Sequence, residues 1–414
     1  MTDIFDVLVV GGGPVGACAA ALLVRGSSGS IAPLNVCVLE PKRPQPPSDT
    51  SALDSRVVAV SRASERILES AGSWHRVLGP RVAAYERMRI WHEGVSPTSS
   101  GVLVFDAAEV GEPNLGYIVE NRLLQAALLD EFADLGGHIE PAELRDLHVG
   151  PQSVTVETSS GSLSARLVVG ADGARSMVRQ SVGMTADVSD FNETAIVATI
   201  ATDHPHEMTA WQRFMRAGTL AFLPLADGTS SIVWSADNDL AAGLAAMSPA
   251  DFETELNRAS DLALGPTRLL SERITFPLKR LAAHHYVAHR CALIGDAAHV
   301  VHPLAGQGVN LGLLDAAALA QLVLEARREQ EDPGALRVLR RYERWRKSEV
   351  AFMSTAISAF DRFLAHGSGP ISRLAQSGLG WVNRSQEIKR FFVSRALGVA
   401  GELPRAAEPS GSSS

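Results

Sequence analysis

The chain is predicted to be an α/β protein, a Rossmann-like dinucleotide-binding unit interleaved with a β-sheet unit and followed by C-terminal helices. Three observations predict this. Residues 7–10 are a short apolar run that leads into Gly11-Gly12-Gly13-Pro14-Val15-Gly16 and an Ala/Leu-rich stretch to Val24, the pattern of strand, tight turn and helix. Residues 190–280 instead show short alternating strands, such as 194–200 and 231–235. Cys291-Ala292-Leu293-Ile294 is a further core-strand run closed by Gly295-Asp296, and from Gly306-Gln307-Gly308 onward Leu311, Leu314, Ala318 and Leu319 fall on one helical face.

In the opening unit Gly11 permits the turn, Gly13 lets a pyrophosphate approach the backbone, and Gly16 lets the helix lie close on the strand. Pro14 and Val15 complete this candidate phosphate site. Residues 35–39 form a second strand ending at Glu40, a carboxylate placed to accept from adenosine ribose hydroxyls. Glu40 stands 29 residues past Gly11, beyond the usual ~20. Gly26-Ser27-Ser28-Gly29-Ser30 reads as an inserted loop that lengthens the connection.

After the proline-rich loop 41–48, residues 53–61 lead to Ser61, which caps a helix carrying Ile67, Leu68 and Ala71 on one face and Glu65 in its early turns. Arg122 opens an amphipathic helix with Leu123, Leu124, Ala127, Leu128 and Phe132, stopped by Gly136-Gly137. Residues 153–157 and 164–169 read as a hairpin, which delivers Gly170-Ala171-Asp172-Gly173-Ala174-Arg175-Ser176. There Asp172 can accept from N–H groups or a ribose, and Gly173 frees the turn. In the sheet region Trp211, Phe214, Phe222 and Pro224 either line an apolar pocket or fill a plain sheet core. Past Asp315 two helical stripes follow, the second with Leu336, Leu339, Tyr342, Trp345 and Val350 among Arg337, Arg340, Arg341, Arg344, Arg346 and Lys347, a basic face of the solvated kind. Residues 370–399 are amphipathic with Trp381, Phe391 and Phe392 beside Arg384, Lys389, Arg390 and Arg395, suited to a membrane surface or a partner. Residues 401–414 read as a polar, disordered tail.

The first bare amides of the helix that opens near Gly308 favour negative charge, and Asp296 beyond the preceding strand can hold ribityl or ribose hydroxyls. At 414 residues and 46% hydrophobic the chain is long enough for two units and a bound cofactor. Its 38 basic against 46 acidic residues, with no basic patch interleaved by aromatics, argue against a nucleic-acid partner. Cys18, Cys37 and Cys291 are scattered in apolar runs and read as small core residues in a reducing compartment. Redox chemistry therefore comes from a cofactor. The start lacks the basic and apolar regions of a signal peptide, and no run of eighteen strongly apolar residues occurs, so cytoplasmic placement with peripheral contact at the inner face of a membrane is expected. His204-Pro205-His206 and His284-His285 lack accompanying ligands, and no metal is expected.

The run His302-Pro303-Leu304-Ala305-Gly306-Gln307-Gly308-Val309-Asn310 to Asp315, the segment Asp54-x-Arg56-x-x-Ala59-x-Ser61 and the Asp172-Gly173 turn resemble the class A flavoprotein monooxygenases, in the branch of ubiquinone-biosynthesis hydroxylases. The resemblance spans about residues 7–360. It implies a glutathione-reductase-type fold with noncovalent FAD, held by the 11–16 turn, Glu40, Arg56, Arg122, Asp172, Gly173, Asp296, Gly306, Gln307, Gly308, Val309 and Asn310. Arg56 keeps the alternative of a surface ion pair. The implied FAD unit is 1–75 with 115–180 and 283–330, and the implied substrate unit is 76–114 with 181–282, its pocket lined by Trp211, Phe222, Pro224, His302 and Pro303; residues 331–400 form a helical region. The implied reaction uses transient NAD(P)H and O2 to hydroxylate a polyprenylated phenol through a flavin C4a-hydroperoxide, in contact with a quinone-biosynthesis complex. For His299 and His302 packing and backbone bonding are preferred to acid or base roles. A prenyl reductase or oxidase of the same fold and a flavin-bearing scaffold are the alternatives; a halogenase would need two tryptophans two apart, which the sequence lacks.

Overall fold

A computed structural model of the chain describes residues 4–27, 33–48, 51–302, 306–364, 397–398 and 401–409. Its first layer is an eight-stranded sheet whose central strands, Cys291–Leu293, Ser162–Gly170, Phe5–Val10, Val36–Leu39 and His138–Glu140, lie side by side and run parallel. Val7, Leu8 and Val9 are fully buried, as both faces of a parallel sheet require. Helices Pro14–Gly26, Asn121–Asp134 and Gln307–Arg328 cover it. The hairpin reading is met, Val154–Thr158 pairing antiparallel with Ser162–Gly170. Ser61 caps Arg62–Ala71 by accepting from Ser64 N–H.

The second layer is a nine-stranded sheet ordered His299–Val300, Ile274–Ala283, Ala186–Thr202, Ser230–Asp237, Gly218–Pro224, Thr209–Met215, Arg87–His92 and Leu103–Asp106, with Thr267–Leu269 on the edge of Ala186–Thr202. Helices Asn238–Ala246 and Pro249–Ser260 close one face around Ile196, Leu220, Phe222, Ile232, Trp234 and Phe252. A three-stranded sheet of Val57–Ser61, Gly116–Glu120 and Ala83–Tyr85 sits against the other face through Leu223 and Leu225.

Helix Gln307–Arg328 has the length and composition to cross a membrane, but 72% of its apolar window is buried inside the fold. It lies against Pro14–Gly26 because Val15 fits between two glycines: a Cβ on Gly312 would stand 2.5 Å from Val15 Cγ2, and one on Gly295 would stand 3.2 Å from Val15 Cγ1. The expected disordered tail is corrected over residues 401–409. Arg405–Ala407 forms a 3-10 turn with Ala407 fully buried, Ser70 Oγ donates to Ala406 O, and Trp345 Nε1 donates to Glu402 O. Small apolar Ala407 fills a site that composition alone does not reveal. Apart from 397–398, the amphipathic stretch 370–399 lies outside the described residues.

Alanine ordinarily stabilises a helix interior by about 1 kcal/mol relative to glycine. Gly312→Ala should nevertheless destabilise this protein by about 1–3 kcal/mol through overpacking on Val15, and adding Val15→Ala should restore part of the loss. Denaturant unfolding of the single and double variants measures this, and a Gly312→Ala protein as stable as wild type would disprove the close fit.

Candidate active site

The site follows from strand register. Val10 is level with Leu39 on one side and Gly170 on the other, and Gly170 is level with Leu293. Four parallel strands therefore end together, and the residues just beyond them are Glu40, Gly11, Asp172 and Asp296. Neighbouring strands are ~4.8 Å apart, so this row spans about 14 Å along the carboxyl ends of a parallel sheet, where dinucleotides bind.

The glycines divide by what surrounds them. A Cβ on Gly11, whose φ is +101°, would stand 2.4 Å from Ala171 O, and one on Gly16 would stand 2.0 Å from Gly11 O, so both are fixed by backbone packing. Gly13 and Gly308 instead have, among the described residues and apart from their chain neighbours and own helix, no atom within 4 Å of a Cβ position. Each stands at a helix N-terminus without a side-chain cap, so bare amides face open space. Glu40 accepts from Gly12 N–H at 2.9 Å and from Lys42 N–H at 3.1 Å. Asp172 Oδ2 caps a short helix by accepting from Met177 and Val178 N–H, while its Oδ1 is buried without a partner among the described residues. Arg179 ties this turn to the Asp296 turn by donating to Ala174 O and Ala297 O, each at 2.7 Å. The two open glycines, uncapped amides and the orphaned Asp172 oxygen fit FAD: amides for its phosphates and pyrimidine edge, carboxylates for its hydroxyls.

Asp296 meets solvent at the mouth of this row, yet the surrounding protein desolvates its carboxyl and raises it above the usual carboxylate range, with His299 opposing. Asp315 behind it has no solvent contact. Its Oδ2 accepts from Gly295 N–H at 3.0 Å and lies 2.6 Å from His299 Nε2, and its Oδ1 accepts from Arg346 Nε at 2.8 Å. Burial opposes ionisation here, but the charges of His299 and Arg346 outweigh it and hold the carboxyl below its usual range. His299 thus bonds a buried carboxylate, where sequence favoured packing and backbone bonding. Arg346, read as part of a solvated basic face, is corrected to a buried cation at 2% side-chain exposure; its periodicity hid the partner because Asp315 is on another helix.

The helix entrance is clamped by Asn310, whose Nδ2 donates to Ala59 O and Gly306 O and whose Oδ1 accepts from Ser61 N–H and Ser64 Oγ. Its side chain is fully used inside the protein and its backbone lies in the first turn's helical ladder, so Asn310 shapes the entrance. Gly306 adopts φ +64° and packs on Ala59. Gln307 and Val309 are half-buried at the entrance, and Pro303 lies outside the described residues. Arg56 is exposed and sits over the Phe276 ring at 5.0 Å. The loop preceding it is set by a buried pair that sequence reading missed: Arg81 donates to both oxygens of Glu120 and to Ser48 O, Ser51 O and Ala52 O. Arg122 is exposed at the start of its helix, and one turn on, Gln125 donates to Gly12 O at 3.0 Å. The i, i+3 spacing from Arg122 was the available signal for Gln125.

The aromatic pocket expectation is corrected by register for Trp211, Phe222 and Pro224, whereas Phe214, level with Thr219 and fully buried, lies on the opposite face. Trp211 is level with Phe222, and alternation puts both, with Pro224, on the helix-covered face of the large sheet. Phe222 is 1% exposed within that core. Trp211 packs there against Arg89 and Trp91. The opposite face carries Val197, Val233 and Ala221 in one cross-strand row, all half-buried, with Leu223, Ser235 and Phe276 nearby. It meets the helix entrance at two places: through Ala59 in the cluster with Leu223 and Leu225, and through His302, whose Nε2 lies 3.1 Å from Glu193 Oε2. Glu193 gave no sequence signal, being one carboxylate in an alternating strand.

A cofactor laid along four strand ends, with its ring at a helix N-terminus opposite a half-buried sheet face, defines a flavoprotein oxidoreductase. The family described as FAD binding domain matches residues 4–353. Among curated proteins the chain is 37% identical to ubiquinone hydroxylase UbiL of Rhodospirillum rubrum over 397 residues, covering 95% of this chain and 89% of that protein. It is 34% identical to 3-demethoxyubiquinol 3-hydroxylase of Escherichia coli, covering 95% of this chain and 98% of that one. The solved structure of p-nitrophenol 4-monooxygenase PnpA from Pseudomonas putida superposes with a TM-score of 0.75 at 22% identity, covering 96% and 99% of the two chains, a likeness of fold. The chain belongs to the class A flavin monooxygenases, in their ubiquinone-biosynthesis branch.

Because the protein itself leaves room at Gly13, Gly13→Val should fold with wild-type circular dichroism yet purify colourless, and Asp296→Ala should weaken FAD by about 1.5–3 kcal/mol. Normal FAD affinity in both variants would contradict the placement. Asp315→Asn should cost about 3–5 kcal/mol at neutral pH by leaving Arg346 buried and uncompensated. The folded-state pKa is depressed, so the carboxylate's contribution is complete above the unfolded value of ~3.9 and is lost as pH falls through the folded one. Unfolding at a series of pH values should show the gap between variant and wild type constant near neutrality and narrowing below about pH 4.

Proposed function

We propose that this flavin monooxygenase hydroxylates the ring of a prenylated phenol, with NAD(P)H and O2 as co-substrates. The observation that carries the reading is the half-buried apolar row Val197–Val233–Ala221, bordered on both sides by contacts to the helix entrance. A planar ring laid on that row is shielded from water by the sheet below it. When bound, FAD takes electrons from the nicotinamide and supplies activated oxygen to the ring. The protein's part is to hold and orient. The uncapped amides near Gly308 favour negative charge on the pyrimidine edge. Arg56 over Phe276 offers a cation at the rim. The apolar row excludes water that would release peroxide unproductively.

The names of the relatives, a ubiquinone hydroxylase and a 3-demethoxyubiquinol 3-hydroxylase, support a phenolic ring with an apolar tail. We extend the proposal to peripheral contact with a lipid surface and with a quinone-biosynthesis complex, since such a tail partitions into lipid and the sequence 370–399 alternates apolar and basic residues.

NADPH oxidation should be stimulated by a prenylated phenol, and with labelled dioxygen one labelled atom should enter the new hydroxyl group. Each buried CH2 contributes ~0.8 kcal/mol, so the ring without its tail should bind far more weakly and uncouple. Label found only in water or peroxide with every prenylated phenol would reject the hydroxylase reading in favour of an oxidase, reductase or scaffold.

A further inference from the structure

We propose that His302 is the base that accepts the proton of the substrate's phenolic hydroxyl, with Glu193 as its positioning residue. The inference rests on the phenolic substrate proposed above. His302 is 8% exposed, and its two nitrogens stand in different situations. Nε2 lies 3.1 Å from Glu193 Oε2, whereas Nδ1 is buried and has no hydrogen-bond partner among the described residues. A carboxylate only accepts, so it keeps the ring proton on Nε2 and leaves the lone pair on Nδ1. A buried acceptor left unpaired is costly, and a hydroxyl brought by substrate removes that cost.

The surroundings place the His302–Glu193 pair beside the ring site. Glu193 follows a bulge between Asp190 and Glu193 where Asn192 takes φ +58°, an irregularity that re-aims the carboxylate. Glu193, Ala195 and Val197 then alternate on the open face, so the pair borders the apolar row. Phe191 meets the His302 ring edge-on at 4.7 Å and fixes its plane. The charged groups around it have other roles: Arg56 lies over Phe276, which is level with Ala195, His299 is engaged by Asp315, Asp237, level with Glu193, is exposed at its strand end, and Asp190 and Lys279 are exposed and level with each other.

In the step the phenol O–H bond breaks, its proton joins Nδ1, and the electron pair stays on oxygen. Glu193 compensates the imidazolium. The phenolate raises electron density at the ring carbon that receives the hydroxyl group. The ring C–H proton then leaves to solvent as aromaticity returns, and the imidazolium gives its proton back to the phenolic oxygen.

The test titrates a short-tailed prenylated phenol bound to the FAD-loaded protein, reading the phenolate absorbance band, in wild type, His302→Gln and Glu193→Gln, with FAD content checked by absorbance. A free phenol ionises near ~10. Bound to wild type it should ionise at least tenfold more readily, and this gain should vanish in His302→Gln and shrink in Glu193→Gln. Hydroxylation by His302→Gln should fall about 100-fold or more, and the deficit should close for a fluorinated phenol already ionised at the assay pH. Unaltered ionisation in wild type, or an equal gain in His302→Gln, overturns the base role while leaving the hydroxylase reading intact. A wild type that binds no prenylated phenol overturns that reading and this role with it.

Discussion

Asp315 is a carboxylate with no access to water, and its two oxygens join four parts of the chain: the Gly295 turn, the His299 strand, its own helix Gln307–Arg328 and Arg346 of the last helix. Taking such a charge out of water costs several kcal/mol, which neighbouring charges offset only when every oxygen is engaged. Here they are, and the consequence is geometric. The turn that carries Asp296 cannot shift without breaking the Gly295 bond, and His299 ties the same carboxylate to the substrate sheet through its pairing with Ala282. The cofactor edge and the sheet opposite it are thereby held in fixed relation by one buried ion cluster.

Glycine does two unlike things around that frame. At Gly11, Gly16 and Gly312 the absent Cβ lets protein approach protein. At Gly13 and Gly308 it keeps protein away from a volume in front of helix amides. Both kinds lie within the same two motifs, and the first positions the second: Val15, seated between Gly295 and Gly312, sets how close the two uncapped helix ends lie.

The substrate side depends on a period of two. One face of the large sheet is closed by two helices and holds Phe222 and Trp234; the other exposes smaller residues such as Val197, Ala221 and Val233. Phe222 and Trp234 thus went to the structural core, and the row left for a ligand is one of modest side chains, with Phe214 and Phe276 on the same face beside it. Trp211 and Phe222 stand out in the sequence for the property that places them elsewhere, since large apolar groups contribute most when fully buried.

Sequence alone determined what is local. The strand–glycine–helix opening, Glu40 at the second strand end, the 153–169 hairpin, the Ser61 cap and the helix beginning at Gln307 each depend on residues within a few positions of one another, where periodicity and turn chemistry act directly. Tertiary structure decided whatever joins distant segments. Arg346 finds Asp315, Arg81 finds Glu120 and Gln125 finds Gly12 across separations that no short-range pattern encodes. The orientation of the sheet was equally out of reach, because an alternating strand states that its two faces differ but not which one meets the cofactor; that choice followed from where helices Asn238–Ala246 and Pro249–Ser260 packed. His302 shows both sides: its motif was legible in the chain, while the contrast between its two nitrogens emerged only once Glu193, over a hundred residues earlier, met Nε2.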